Sequence, residues 1–174
     1  NYPIMHGEDN EYYLNHTWDG ARSSVGSIFL EAQSSADMED FNTIVYGHNM
    51  KSGAMFAGLR RYRYQSFYDA HPYVYLLTDA GVFRYEVFAS YKAETDCRAF
   101  GVSFNQMATR EKFIAEALER NVIETGVIPE VNDRIMTLVT CSAAGYSARW
   151  AVQARLKMVE VDGRVQHVPL VDFS

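Results

Sequence analysis

Two cysteines in 174 residues, Cys97 and Cys141, are too few for a disulfide framework. They could pair with each other only if their α-carbons came within bridging distance, which a sequence does not set. The chain also lacks a dense basic block. Sixteen Lys and Arg stand against 22 Asp and Glu, a net charge of −6, which argues against nucleic acid as a partner. No apolar run approaches the ~20 residues that span a bilayer, and no signal-peptide pattern opens the chain. Internal repeats, low-complexity stretches and linkers are missing, so residues 1–174 are expected to form a single domain. No His, Cys or carboxylate pair has ligand-like spacing, and Glu8-Asp9 with Glu11 reads as a solvated loop. Neither a metal nor another cofactor is expected.

The chain does have apolar and aromatic residues in quantity: 48% hydrophobic, with twelve Tyr and ten Phe, a composition suited to β-structure. Short β-branched and aromatic runs lie at 26–31 (GSIFLE), 41–47 (FNTIVYG), 133–141 (DRIMTLVTC) and 149–161 (RWAVQARLKMVEV). Residues 72–94 read as a hairpin with Thr78-Asp79-Ala80-Gly81 as its turn, Gly81 supplying a positive φ. A helix is predicted over 108–122, with Thr109 as N-cap and Phe113, Ile114, Ala117, Leu118 and Val122 on one face. A shorter one is predicted over 52–62, with Met55, Phe56 and Leu59 as its stripe. Both stripes are read as core-facing. The sum is a mainly β fold with inserted helices, a barrel decorated by helices.

The chemistry turns on Cys141, where an apolar run stops. A cysteine is nucleophilic as its thiolate and needs a cation or base nearby to reach that state at neutral pH. Of five histidines, His48 directly follows an apolar strand, in TIVYGHNMKSG, at a loop flanked by Gly47, Asn49 and Gly53. A loop histidine taken alone also fits an ordinary surface position. Alternation puts Cys141 with Ile135, Thr137 and Val139, and puts Arg149 with Ala151, Gln153, Arg155 and Lys157 on the polar side of its strand, away from the core. The small residues 142–148 (SAAGYSA) would let the two strands return, so that Cys141 and Arg149 face each other. A guanidinium there could hold a thiolate or an oxyanion; a surface arginine paired with a carboxylate fits the same residues.

The segment TLVTC (137–141), followed eight positions on by Arg149, resembles the TLxTC…R signature of sortases. The segment 41–62 (FNTIVYGHNMKSGAMFAGLRRY) resembles the catalytic-histidine region of class B sortases, and 2–20, 71–75 and the helix of 108–122 fit that class as well. The resemblance implies a sortase-like eight-stranded β-barrel with its N-terminal part truncated here, the N-terminal helices and first strand expected of the class being missing or truncated. It further implies a cysteine transpeptidase on the outer surface of Gram-positive bacteria, membrane-anchored in the full-length protein. Such an enzyme cleaves a C-terminal sorting signal at a Thr–Gly-type or equivalent bond and passes the acyl group to an amine. Carried over by position, Cys141 is the nucleophile, His48 the general acid/base, and Arg149 the residue stabilising substrate and oxyanion. Thr140, Ser142 and Tyr146 are the substrate-binding candidates, in a groove formed by 95–107 and 142–148. The family's partners are sorting-signal-bearing surface proteins or pilins, with a peptidoglycan cross-bridge or a pilin lysine as acceptor.

Ser142 departs from the class, some of whose members carry an acidic residue after the cysteine, so a scheme needing a carboxylate there does not apply. A papain-like peptidase places its cysteine near a helix N-terminus and ahead of the histidine, the reverse of the order here. A non-catalytic cell-surface binding barrel, its aromatics forming a ligand face, is the alternative of a different kind. Cys97 is read as incidental, and His71 as structural or solvent-facing.

Overall fold

Among the described residues eight strands form one sheet: β1 (Ile4–Met5), β2 (Ile28–Leu30), β3 (Asn42–His48), β4 (Tyr73–Thr78), β5 (Gly81–Glu94), β6 (Ile135–Cys141), β7 (Ala148–Val161) and β8 (Arg164–Gln166). The computed structural model describes residues 1–94, 96–141, 148–161 and 163–166. The sheet path runs β1-β2-β3-β6-β7-β5-β4, and β8 pairs with β7 off that path. The β1–β2 and β3–β6 pairs are parallel and the others antiparallel. This is the mainly β, barrel-like architecture the sequence predicts.

Alternation along the strands explains why the sheet curls. Ile28 and Leu30, Val45, Met136 and Leu138, Val152, Ala154 and Leu156, Val87 and Leu76 all join one buried cluster. That cluster draws on β2 near one end of the path and β4 at the other, so the sheet wraps around it. The opposite face is buried too. Ala89, Tyr91, Ala93, Ile135 and Ala151 pack against Phe113, Ile114 and Ala117 of the helix α2 (Met107–Arg120). Phe29, Ile44, Tyr46, Val139 and Cys141 pack with Tyr13, Leu14 and Phe100. The face of β7 carrying Arg149 is therefore covered, with Ala151 and Gln153 fully buried. Strand alternation assigns a residue to a face and says nothing of what later packs on it.

A buried polar chain crosses this outer layer. The Tyr91 hydroxyl donates to Gln153 Oε1 (3.0 Å) and Gln153 Nε2 donates to Thr137 Oγ1 (3.0 Å). Thr137 Oγ1 in turn donates to Asn42 Oδ1 (2.6 Å). Asn42 Nδ2 then donates to the carbonyls of Ala99 (3.1 Å) and Gly101 (2.9 Å). With each link satisfied, four buried polar side chains tie four strands to the turn at 98–101 at little desolvation cost.

The helices differ in detail from expectation. Gly53 (φ +86°) and Met55 (φ 55°) turn the chain out of helical geometry. The predicted 52–62 helix is instead a 3-10 stretch, Phe56–Arg63, followed by α1 (Gln65–Ala70). Gln106, not Thr109, occupies the N-cap position of α2, and the Thr109 hydroxyl donates back to the Gln106 carbonyl (2.6 Å). The helix stops before Val122, which is exposed. Asn121 reaches a β-bulge in β5, accepting the Ser90 N–H at 2.9 Å and donating to the Phe88 carbonyl at 3.3 Å. The 72–94 hairpin is present, with Thr78 paired to Gly81. Gly81 has φ +141°, and a Cβ there would stand 2.3 Å from the Glu160 carbonyl oxygen.

Candidate active site

His48 and Cys141 end β3 and β6, and the parallel register pairs them directly. Residues paired in this way carry their side chains on the same face of the sheet. Here that is the outer face, with Ile44, Tyr46 and Val139. Strand β7 approaches from the other side of β6. Its ladder with β6 reaches Val139↔Ala151, and two residues beyond that pair on each strand stand Cys141 and Arg149. Three residues from distant parts of the chain thus stand at one end of three adjacent strands.

Gly47 makes the approach to His48 possible. A Cβ at this position would lie 2.4 Å from Ile28 Cδ1 and 2.7 Å from Phe56 Cγ, so only glycine lets Phe56 pack beneath the strand end. The half-buried His48 ring has Nε2 2.6 Å from the Leu14 carbonyl oxygen. A carbonyl only accepts, so Nε2 carries hydrogen, and Nδ1 is the nitrogen left for proton exchange.

Cys141 is buried and free, as is Cys97. Burial pushes its thiol up to about 11, while the Arg149 charge and a backbone hydrogen bond from Gly47 act in the opposite direction. At neutral pH the resting residue is a thiol. Arg149 is half-buried, and its Nε has no hydrogen-bond partner among the described residues. Its guanidinium instead lies over the rings of Tyr46 (5.6 Å to the centroid) and Phe100 (5.4 Å). These groups line a cavity of about 320 Å³ together with Asn10, Leu14, Phe29 and Glu31.

Of the residues singled out from sequence, Cys141 and Arg149 line this cavity, and His48 is paired with Cys141 at the strand end. Thr140 points to the other face, where its hydroxyl accepts the Trp150 N–H at 2.9 Å. Ser142 and Tyr146, with the rest of that loop, lie outside the described residues. Cys97 sits elsewhere, its thiol 3.3 Å from Glu116 Oε1. His71 is exposed and stacks on Phe67, its Nδ1 3.0 Å from the Phe67 carbonyl. Sequence reasoning missed Asn10, Glu31 and Tyr46, while Phe100 falls within the 95–107 stretch expected to form the groove. The polar Glu31 directly after the apolar run 28–30 was the available signal. Among the described residues no group of three or more His, Cys, Asp or Glu could hold a metal ion.

The model of the sortase domain matches residues 1–157. Sortase B of Listeria monocytogenes is 36% identical over 140 residues, covering 80% of this chain and 57% of that protein. Sortase B of Staphylococcus aureus is 32% identical over 161 residues, covering 92% of this chain and 66% of that protein. The chain thus spans less than two thirds of the length of either relative. The solved Staphylococcus aureus sortase B–substrate complex superposes with a TM-score of 0.85 at 33% identity, covering 90% of this chain and 73% of that one.

Proposed function

The chain belongs to the sortase family, among relatives of class B, and on that premise we propose that it is a cysteine transpeptidase acting through Cys141. One observation carries the reading: His48 and Cys141 are paired at the ends of two parallel strands, and Cys141 shares a cavity with Arg149. A nucleophile, a proton carrier and a fixed cation are what acyl transfer through a thioester needs.

The proposed reaction begins as the Cys141 thiol gives its proton to His48 and its sulfur bonds to the carbonyl carbon of the sorting signal. Because burial disfavours the resting thiolate, proton loss is coupled to attack, with Arg149 offsetting the charge that develops. Arg149 and backbone N–H groups hold the tetrahedral oxyanion. The C–N bond then breaks, His48 returns the proton to the departing amine, and a thioester remains. An acceptor amine attacks the thioester, loses its proton to His48 and expels the sulfur, which is reprotonated. The proposed substrates are surface proteins bearing a C-terminal sorting signal, and the acceptor is a cell-wall cross-bridge amine or a pilin lysine. The proposed location is the extracellular face of the membrane or the cell wall, as for the family. No described helix is long and apolar enough to cross a membrane. Ser142 and Tyr146 remain proposed contacts to the signal.

Screening peptides varied at each signal position, with an added amine and mass detection of the Cys141 thioester, tests the reading. Transfer of the amine into the product, lost in Cys141→Ala, is expected. Cleavage by Cys141→Ala at the wild-type rate, or water as the only acceptor accepted, would sink it.

A further inference from the structure

The cavity holds one carboxyl group that thioester chemistry does not use. Glu31 continues β2 by one residue, its N–H donating to the Ile44 carbonyl at 2.9 Å, and is only 6% exposed. Its Oε1 accepts from Asn10 Nδ2 at 2.6 Å and from the Gln33 N–H at 3.4 Å. Its Oε2 accepts the hydroxyl of Tyr46 at 2.9 Å. A buried carboxyl group is costly unless its lone pairs are used, and here three donors use them.

Tyr46 is one of the two rings beneath Arg149. The guanidinium lies 5.6 Å from its centroid and 5.4 Å from that of Phe100. With Arg149 Nε lacking a hydrogen-bond partner among the described residues, these rings account for its described contacts. The Phe100 ring belongs to the turn that Asn42 holds through the carbonyls on either side of it. The Tyr46 ring is held at its far end by Glu31. The electrostatic surroundings of the Tyr46 phenol include Glu31, Arg149 and Cys141 together, so the four groups share one electrostatic environment.

We propose that Glu31 is a positioning residue: by accepting the Tyr46 hydroxyl hydrogen it fixes the ring that, with Phe100, holds the Arg149 guanidinium beside Cys141. Its kinetic consequence rests on the transpeptidase reading, but its effect on the thiol does not. Two explanations of a Glu31 effect have opposite signs. If Glu31 positions Arg149, removing the acceptor lets the cation drift and makes the Cys141 thiolate harder to form. If Glu31 acts only as a nearby negative charge, removing it makes that thiolate easier to form.

The test is the rate at which iodoacetamide alkylates Cys141 between pH 8 and 10, resolved from Cys97 by peptide mass mapping, in Glu31→Leu, Glu31→Gln and Tyr46→Phe. Below its midpoint the rate follows the thiolate fraction, so a rise of one pH unit in the midpoint slows alkylation about tenfold. Glu31→Leu and Tyr46→Phe are expected to slow it by roughly three- to tenfold, and Glu31→Gln, which keeps an oxygen for the phenol, to restore it. In transpeptidation both slowed variants should lose about 10- to 100-fold in kcat, the range for a displaced catalytic group. Combining either with Arg149→Ala should add less than about a twofold loss to that of Arg149→Ala alone. Faster alkylation in Glu31→Leu and Glu31→Gln alike, or a loss that simply multiplies with that of Arg149→Ala, overturns the proposal. Should Glu31→Leu fail to fold, Tyr46→Phe, which removes a single oxygen, decides alone. Absence of transpeptidation in the wild type would count against the proposed function, while the alkylation rates would still judge Glu31.

Discussion

His48 and Cys141 are the last pair of a parallel ladder that runs in step from Asn42↔Ile135. Ninety-three positions separate them in sequence (141 − 48), yet the register places one directly beside the other. A one-residue slip between β3 and β6 would turn one of the two to the opposite face. The buried residues along both strands, Ile44 and Val45 on one and Met136 and Val139 on the other, hold that register against slippage.

The pH dependence of stability follows from the thiol of Cys141, whose folded-state value of about 11 lies above the ordinary 9.0 because of burial. Below pH 9 the thiol is protonated in both folded and unfolded chains, and this contribution to stability is fully present. Between pH 9 and 11 the unfolded chain loses its proton first, so the contribution drains away, by on the order of 2–3 kcal/mol. Urea denaturation at pH 7.5 and 10.5, compared with Cys141→Ala, isolates the effect from other titrating groups. The variant should lose less stability on going to pH 10.5. An equal loss in both proteins would mean that the thiol is not desolvated.

Replacing Gly47 tests the packing that places His48. An alanine methyl would collide with Ile28 and the Phe56 ring, and Gly47→Ala should cost about 1–3 kcal/mol, as overpacking does. Trimming the obstacle in Gly47→Ala/Phe56→Leu should recover part of it. No recovery in the double variant would place the clash elsewhere.

Thr137→Val removes the hydroxyl at the middle of the buried polar chain while keeping its volume. Gln153 Nε2 then loses its acceptor and Asn42 Oδ1 its donor. The expected cost is about 1–3 kcal/mol for the groups left unpaired. Thr137→Ser should be much milder. Wild-type stability in Thr137→Val would show that these hydrogen bonds contribute nothing net.

Thr140 has two possible roles, and one pair of variants separates them. Its hydroxyl accepts the Trp150 N–H, so Thr140→Val should lower stability by about 1–2 kcal/mol, with Thr140→Ser close to wild type. A raised KM for the signal peptide with unchanged denaturation would instead assign the hydroxyl to substrate.

Much of this fold was legible because it rests on local rules. Period-two alternation placed β3, β6 and β7, and the apolar stripe Phe113, Ile114 and Ala117 placed α2. Where those rules failed, a side chain had a better partner far away in sequence. Asn121 leaves the helix to fill the bulge at Phe88–Ser90, which no window around residue 121 contains. Met55 adopts a left-handed backbone that its residue type disfavours.

The sequence by itself determined the nucleophile, its histidine and its arginine as candidates, since cysteine, imidazole and guanidinium chemistry goes with residue type and the flanking motif is contiguous. It also determined which face of each strand these residues share, because alternation is a property of the backbone. Only the tertiary structure decided that Arg149 is covered and held between Tyr46 and Phe100, and that Glu31 stands behind Tyr46. The reason is physical: burial and hydrogen-bond partnership are created when separate segments pack, and residues 31, 46, 100 and 149 have no local signal that anticipates one another.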